Sequence, residues 1–313
     1  VPRISLVTPT YQQAATIRET IESVLGQDYP DLEYGVLDAG SKDGTVEILR
    51  EYEKDPRFHW VSEPDKGQSD AINKGLARCT GDVFNWINSD DYLEPGALRR
   101  VAEAFQKNPG LDIVSGWTAE FRGDPPGIFN RIQLQIRATP EQSIPVGVFC
   151  QPSTFWRTEI VRALGGIDPT LHYVLDWNLW VRYLALHGQE KVLLLDDLLA
   201  HFRHHAEAKT SASSSKFYDE GKAVFHNLHL SLNAPEPFLI PEVESGPGWQ
   251  RKDFQFGPTF DRELYLGSYA EKMVRTNRRK DPVLAKAWLN RTWTYKPGVT
   301  LWRIKMALRL LLK

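Results

Sequence analysis

Asn85-Trp86-Ile87-Asn88-Ser89-Asp90-Asp91-Tyr92-Leu93-Glu94-Pro95 is the stretch that decides how this chain is read. A short apolar strand over 83–87 runs into a polar turn with two adjacent carboxylates. Pro95 and Gly96 close the turn, and a helix starts at Ala97 with Leu98, Val101 and Phe105 at helical spacing. In an open α/β sheet, ligands settle just beyond the carboxyl ends of the strands. Paired carboxylates there make a hard oxygen site suited to Mg2+ or Mn2+ shared with a phosphate-bearing ligand. An isolated Asp-Asp more often caps a helix or solvates a turn, so the surroundings have to decide.

Upstream, β-branched or apolar runs at 3–7, 32–37 and 58–61 predict strands. Helical periodicity follows each of them, at 17–25, 46–52 and 69–77. Strand, loop and helix thus alternate four times in roughly the first 100 residues, which predicts a parallel sheet with helices on its faces. The usual glycine-rich phosphate loops are missing. No Gly-x-Gly-x-x-Gly follows the first strand and no Gly-x-x-x-x-Gly-Lys-Ser/Thr occurs. Dinucleotide dehydrogenases and P-loop enzymes are therefore poor fits, and a carboxylate-held metal becomes the natural partner of a phosphate.

Composition narrows the rest. The 313 residues carry a net charge of -2, with no basic arm or aromatic-interleaved basic stripe in the first two thirds, so nucleic acid is not expected. The two cysteines, Cys79 and Cys150, make no metal spacing and no disulfide framework, which favours a reducing, cytoplasmic setting. The first residues read as a strand, not a signal peptide, and no apolar run is long enough to cross a bilayer.

Downstream, a strand at 111–115 leads into a hairpin or loop over 117–137, and 151–156 forms another strand. A helix is expected to start near Asp176, with Trp177, Trp180 and Leu184 at helical spacing; taken alone, Asp176 is more readily an N-cap than a catalyst. After a strand at 191–195, the pattern changes: a polar hinge at 211–215, helices at 219–232, 260–275 and 282–293, and an irregular Pro- and Gly-rich stretch at 234–258. The last segment, 300–313, sets Leu301, Ile304, Leu308 and Leu311 on one face with Lys305, Arg309 and Lys313 beside it. That is a basic amphipathic helix of the kind that lies on anionic membrane, and packing on the catalytic domain is the alternative.

These pieces, taken in order, resemble the inverting, nucleotide-sugar-dependent family 2 glycosyltransferases of GT-A fold. The resemblance rests on Val7-Thr8-Pro9-Thr10-Tyr11, Val36-Leu37-Asp38-Ala39-Gly40-Ser41-Lys42-Asp43-Gly44-Thr45, Glu63-Pro64-Asp65-Lys66-Gly67, Asp70-Ala71-Ile72-Asn73-Lys74-Gly75 and Asn88-Ser89-Asp90-Asp91. It continues through Gln151-Pro152-Ser153-Thr154-Phe155-Trp156-Arg157, Gly165-Gly166-Ile167-Asp168, Leu175-Asp176 and Phe202-Arg203-His204-His205. Together they cover about the first two thirds of the chain.

The resemblance implies that Thr8, Pro9, Tyr11 and Asp38 meet the donor base and ribose. It implies that Asp65, Lys66, Asp70, Asn73, Ser89 and Asp90 approach the ribose, sugar and phosphates. Asp91 and His205 would hold a divalent cation, Mn2+ or Mg2+, and Gln151, Trp156 and Trp177 would shape the sugar or acceptor pocket. Asp176 would be the general base. Two adjacent histidines on an extended segment point opposite ways, so only one of His204 and His205 is expected to face the site, and the resemblance selects His205. Two positions depart from the family pattern: Ala39, where many relatives carry a second acid, and Asn88, where the metal motif usually begins with Asp.

The expected architecture is an α/β GT-A domain over 1–215 followed by a mainly helical region, 216–313. The expected function is a metal-dependent hexosyltransferase in surface polysaccharide or glycolipid assembly. Its donor would be a UDP-sugar first, with GDP- or dTDP-sugars as alternatives, and its acceptor a saccharide or lipid-linked saccharide. The protein would be cytoplasmic, or peripheral on the cytoplasmic face of the membrane. Two rivals remain. One is a non-catalytic nucleotide-sugar-binding protein of the same fold. The other is a sugar-1-phosphate nucleotidyltransferase, which would need a Gly-rich, Arg-containing loop in place of Thr8-Pro9-Thr10-Tyr11-Gln12.

Overall fold

The computed structural model describes residues 1–123, 126–205, 214–246, 249–295 and 301–311. The chain begins with β1 (Ile4–Thr10), α1 (Ile17–Leu25), β2 (Leu32–Asp38), α2 (Thr45–Glu51), β3 (Phe58–Ser62), α3 (Gln68–Arg78) and β4 (Val83–Trp86). β1 pairs in parallel with β2 and with β4, and β2 pairs in parallel with β3. Every residue of β1 is buried, as a strand covered on both faces must be. Helix α3 can lie close on β1 because position 75 is glycine: a Cβ there would come within 2.6 Å of Val7 Cγ1.

The second half of the sheet is mixed. After a two-residue strand β5 (Tyr92–Leu93) and α4 (Ala97–Lys107) come β6 (Ile113–Arg122), β7 (Gly127–Gln133), a short α5 (Pro140–Ser143), β8 (Thr154–Arg157) and α6 (Thr158–Ala163). Then follow α7 (Leu175–His187) and β9 (Val192–Arg203). The sheet order is β3-β2-β1-β4-β8-β6-β9-β5, with β7 paired to β6 at the side. The sheet is thus mixed α/β, parallel on the β1 side and antiparallel where β8 joins β4 to β6. Within the stretch 117–137, β6 and β7 pair antiparallel, and the expected strand at 151–156 begins with a 3-10 turn (Gln151–Ser153).

The C-terminal helices are α8 (Ser214–Ser231), α9 (Arg262–Asn277), α10 (Pro282–Tyr295) and α11 (Leu301–Leu311). Of the expected hinge at 211–215, residues 211–213 lie outside the described residues, and 214–215 already belong to α8. These helices share one apolar core with the α/β half: Trp156, Trp177 and Trp180 belong to the same cluster as Phe225, Tyr269, Trp288, Met306 and Leu310. Helix α11 was expected to bind membrane in preference to completing the fold. It does complete the fold, burying Arg303, Met306 and Leu310, while Ile304, Lys305, Leu308 and Arg309 stay exposed. The side chains of Leu301 and Leu311, and Lys313, lie outside the described residues. No helix among the described residues is long and apolar enough to cross a membrane.

Candidate active site

A cleft of about 950 Å3 opens at the carboxyl ends of β1, β2 and β4 and extends to the β6–β7 hairpin and the end of β9. Its floor on the β1 side is built by turns. Gln12 adopts a left-handed backbone, φ 55°, and turns the chain after β1. The next loop holds that turn: Ser41 Oγ accepts the N–H of Gln12 at 2.8 Å, Thr45 Oγ1 that of Gln13 at 3.0 Å, and Asp43 that of Ala14 at 2.9 Å. Burial works against the Asp43 charge, yet hydrogen bonds from the Thr45 hydroxyl and from the backbone N–H groups of Ala14 and Thr45 keep its carboxyl below the usual range.

The two acids of the β4 turn face different ways. Asp90 lines the cleft, and its Oδ2 lies 2.9 Å from His205 Nε2. Asp91 is only 1% exposed: one oxygen accepts the backbone N–H of Arg203 at 3.0 Å, the other the side-chain amide of Asn88 at 3.1 Å. Burial, then the neighbouring charge of Asp90, pushes the Asp91 carboxyl well above the usual carboxylate range. Arg203 grips the turn a second time, its Nε donating to the Asp90 carbonyl at 3.0 Å. It also pairs with Glu19.

Across the cleft, Asp176 sits at the second position of α7 and lines the wall with Cys150, Gln151 and Leu175. The N-cap position is Val174, so the carboxylate does not cap its helix from the cap position. Desolvation pushes its pKa up to about 6, against the pull of the backbone N–H groups of Trp177 and Asp176. A carboxylate poised there accepts a proton more readily than an ordinary aspartate and is still ionised at neutral pH.

Among the described residues the cleft wall carries four carboxylates, Asp65, Asp90, Glu120 and Asp176, and no lysine or arginine. A diphosphate bound in it would need a cation for charge balance. One carboxylate and one imidazole, Asp90 and His205, suit a divalent ion whose other ligands come from phosphate and water. Among the described residues no group of three or more His, Cys, Asp or Glu could hold a metal without such help.

Residues 5–165 match the family described as Glycosyl transferase family 2. This chain belongs to glycosyl transferase family 2. It is 36% identical over 115 residues to chondroitin synthase of Escherichia coli, a match that spans 36% of this chain and only 17% of that protein. Among solved structures it is similar to S. aureus TarS 1-349 in complex with UDP-GlcNAc, with TM-score 0.62 and 17% identity over 98% of this chain and 85% of that one. It is also similar to GalNAc-T7 with UDP, GalNAc and Mn2+, with TM-score 0.56 and 14% identity over 80% of this chain and 52% of that one. At these identities the structures establish the GT-A fold, and no more.

In this family 2 glycosyltransferase the cleft brings together Pro9, Tyr11, Asp65, Ser89, Asp90, Gln151, Asp176 and His205. Several other expected site residues point elsewhere. Thr8 is buried on Tyr34, 2.9 Å from its hydroxyl. Asp38 is turned into its own loop, accepting from Gly40, Ser41 and Ser62, and Ala39 is what lines the cleft. Asn73 spends both ends of its amide on the backbone of Ile167, at 2.8 Å each. Asp70 accepts the Lys66 N–H at 3.1 Å and pairs with Lys74, and the Lys66 side chain is exposed off the wall. Trp156 and Trp177 are core residues, packed on Trp180 and on Phe225 respectively.

Two features of the wall went unread in the sequence. His204 lines the cleft as well as His205, because β9 ends at Arg203 and strand alternation no longer applies beyond it. Glu120 of β6 faces His204, 2.8 Å away. The only sequence signal for Glu120 was its place in a hairpin, which says nothing of a partner 84 residues on.

Proposed function

We propose that this protein transfers a sugar from a nucleotide diphosphate sugar to an acceptor hydroxyl, with inversion at the anomeric carbon. The observation that carries this is Asp90 with His205 on one wall of the cleft and Asp176 on another, in a site with no lysine or arginine among its described residues. Asp90 and His205 would hold a divalent cation; Asp91 braces the turn from behind. The cation would offset the charge that develops on the departing diphosphate.

The chain's own groups carry the remaining steps. Pro9, Tyr11, Ala39 and Asp65 frame the nucleotide, Ser89 lies beside Asp90, and Gln151 is pinned to the Trp86 carbonyl at 2.5 Å beside the sugar position. Asp176 takes the proton of the acceptor hydroxyl as that oxygen bonds to the anomeric carbon, while the bond to the diphosphate oxygen breaks on the opposite face. Burial makes Asp176 a stronger base without neutralising it at physiological pH.

UDP-sugars are the favoured donors, supported by the UDP-GlcNAc complex of the similar TarS structure. Mn2+ is supported by its presence in the GalNAc-T7 complex. Assembly of a surface polysaccharide or glycolipid is supported by the likeness to chondroitin synthase. Residues 1–215 would carry the chemistry and 216–313 would brace it, with the exposed Ile304, Lys305, Leu308 and Arg309 of α11 resting on the anionic cytoplasmic face of a membrane.

The test is thermal stabilisation by UDP, GDP and dTDP, each with and without Mn2+, followed by release of nucleotide diphosphate from the matching sugar donor. A ligand that binds only the folded state raises the melting temperature. Metal-dependent stabilisation with slow donor hydrolysis is expected. Anomeric NMR of the transferred sugar decides inversion, and a retained configuration rejects this mechanism.

A further inference from the structure

The cleft wall continues beyond the residues proposed to frame the donor, and its character changes there. Thr118 and Glu120 of β6, Ile132 of β7, and Phe202 and His204 at the end of β9 line it there. Glu120 Oε1 lies 2.8 Å from His204 Nε2, and Glu120 Oε2 accepts the side-chain amide of Asn130. The Glu120 side chain is 15% exposed and that of His204 18%. The imidazole stands edge-on to Phe202 and Phe129, with centroids 4.9 and 5.2 Å away. Two donors therefore fix the carboxylate, and two rings fix the imidazole.

This pair presents acceptors. An ionised carboxylate only accepts, so Nε2 carries the shared proton and the other nitrogen of a neutral ring is left as an acceptor. Sugar hydroxyls are donors that such a site can receive. A carboxylate or phosphate on the ligand finds a like charge and, among the described lining residues, no lysine or arginine. Among the described residues, the nearby arginine and lysine do not relieve this. Arg122 lies 4.6 Å over the Phe129 ring and Lys216 5.6 Å over Tyr173, and neither lines the cleft.

We propose that the Glu120–His204 pair is a saccharide subsite that admits a neutral acceptor sugar and rejects a uronic acid or sugar phosphate at the same place. Like charges set together in a partly desolvated wall discriminate strongly, and here the repulsive element is built in. The inference rests on the glycosyl-transfer reading, because it assigns the acceptor of that reaction.

The experiment uses the full chain with UDP and Mn2+ at about pH 8, titrated with matched methyl glycosides: β-glucoside against β-glucuronide, and β-galactoside against β-galacturonide. The neutral member of at least one pair should bind about tenfold or more tighter than its uronide. Glu120→Gln, which keeps the shape, removes the charge and leaves one acceptor oxygen, should bring the two within roughly twofold. His204→Gln keeps the carboxylate and should keep the preference. The wild-type ratio tests the inference even where a variant folds poorly. A uronide that binds as tightly as its neutral twin overturns it, as does a preference that survives Glu120→Gln, or no binding by any neutral glycoside. Stabilisation by UDP with Mn2+ is read separately: if it is present while the preference is absent, only the subsite fails; if it is absent, the donor reading fails first.

Discussion

Glu220 of α8 accepts the backbone N–H of Tyr173 at 2.7 Å, and the same carboxylate takes the N–H groups of His172 at 2.9 Å and Val174 at 3.1 Å. The residues it holds lead directly into α7, two positions before Asp176. A C-terminal helix thus satisfies donors at the start of the helix that carries the candidate base. A negative charge at that end is also favoured by the helix dipole.

Glu220→Ala should therefore lower transfer about tenfold or more and cost roughly 1–3 kcal/mol of stability, the usual penalty for stranding such donors. Nucleotide binding should hardly change, and Glu220→Gln, with one acceptor oxygen left, should recover part of the rate. Turnover and UDP binding measured on both variants check this. A full rate in Glu220→Ala would show that Asp176 needs no such support.

The two acids of the β4 turn should separate cleanly. Asp90→Asn should abolish Mn2+-dependent nucleotide binding and leave the melting temperature nearly unchanged, since Asp90 faces the cleft. Asp91→Ala should cost about 1–3 kcal/mol because it strands the Arg203 N–H and the Asn88 amide. Denaturant unfolding and nucleotide titration on the pair check it. If only Asp91→Ala loses the metal while staying fully stable, the assignment reverses.

The raised pKa of Asp176 makes a prediction of defined sign. Its folded value, about 6, lies above the ordinary 3.8, so the folded state binds the proton more tightly than the unfolded one. Ionisation then costs stability above pH 6, and the cost disappears as pH falls below 4. Asp176→Asn should be more stable than wild type by about 1–3 kcal/mol at pH 8, with the gap closing by about pH 4. The same substitution should cut transfer about 10²–10⁴-fold with little change in donor affinity. Wild-type turnover should fall as pH drops through about 6.

His229 gives the opposite slope. It is buried, its Nδ1 donating to the Phe238 carbonyl at 2.7 Å and its Nε2 lying 3.0 Å from the Tyr265 hydroxyl, and desolvation lowers its pKa to about 3. The unfolded chain binds that proton near pH 6.5, so stability from this group is complete above that value and is lost as pH falls toward 3. Below about pH 6 the Asp176 contribution partly masks the loss in wild type. Acid titration of unfolding free energy should therefore be steeper in Asp176→Asn, by up to about 1.4 kcal/mol per pH unit.

Helix α11 should show two separable faces. Met306→Ala and Leu310→Ala should each cost about 2–5 kcal/mol, as buried large-to-small changes do, and deleting 301–311 should lower the melting temperature markedly. Lys305→Glu with Arg309→Glu should leave stability alone and weaken sedimentation with anionic vesicles, each lost charge being worth about 1 kcal/mol near the surface. Unchanged sedimentation rejects the membrane role and leaves α11 a packing helix.

The order of strands, turns and helices through β4 was legible because hydrophobic patterning is local: the apolar run that opens β1, buried throughout, and the 3.6-residue spacing at 17–25 report which faces are covered. The turn with Asp90 and Asp91 and the helix start near Asp176 were readable for the same reason. What residues alone did not settle was direction. Asp91 turns inward because the Arg203 backbone, 112 positions on, offers it a donor, and Asn73 turns away because Ile167, 94 positions on, takes both ends of its amide. Trp156 and Trp177, expected at the sugar or acceptor pocket, are instead packed into the core against Trp180 and Phe225. Sequence spacing sets which residues can share a face. Which of two adjacent polar groups meets the ligand is decided by hydrogen bonds and packing from distant segments, and those exist only once the chain has folded.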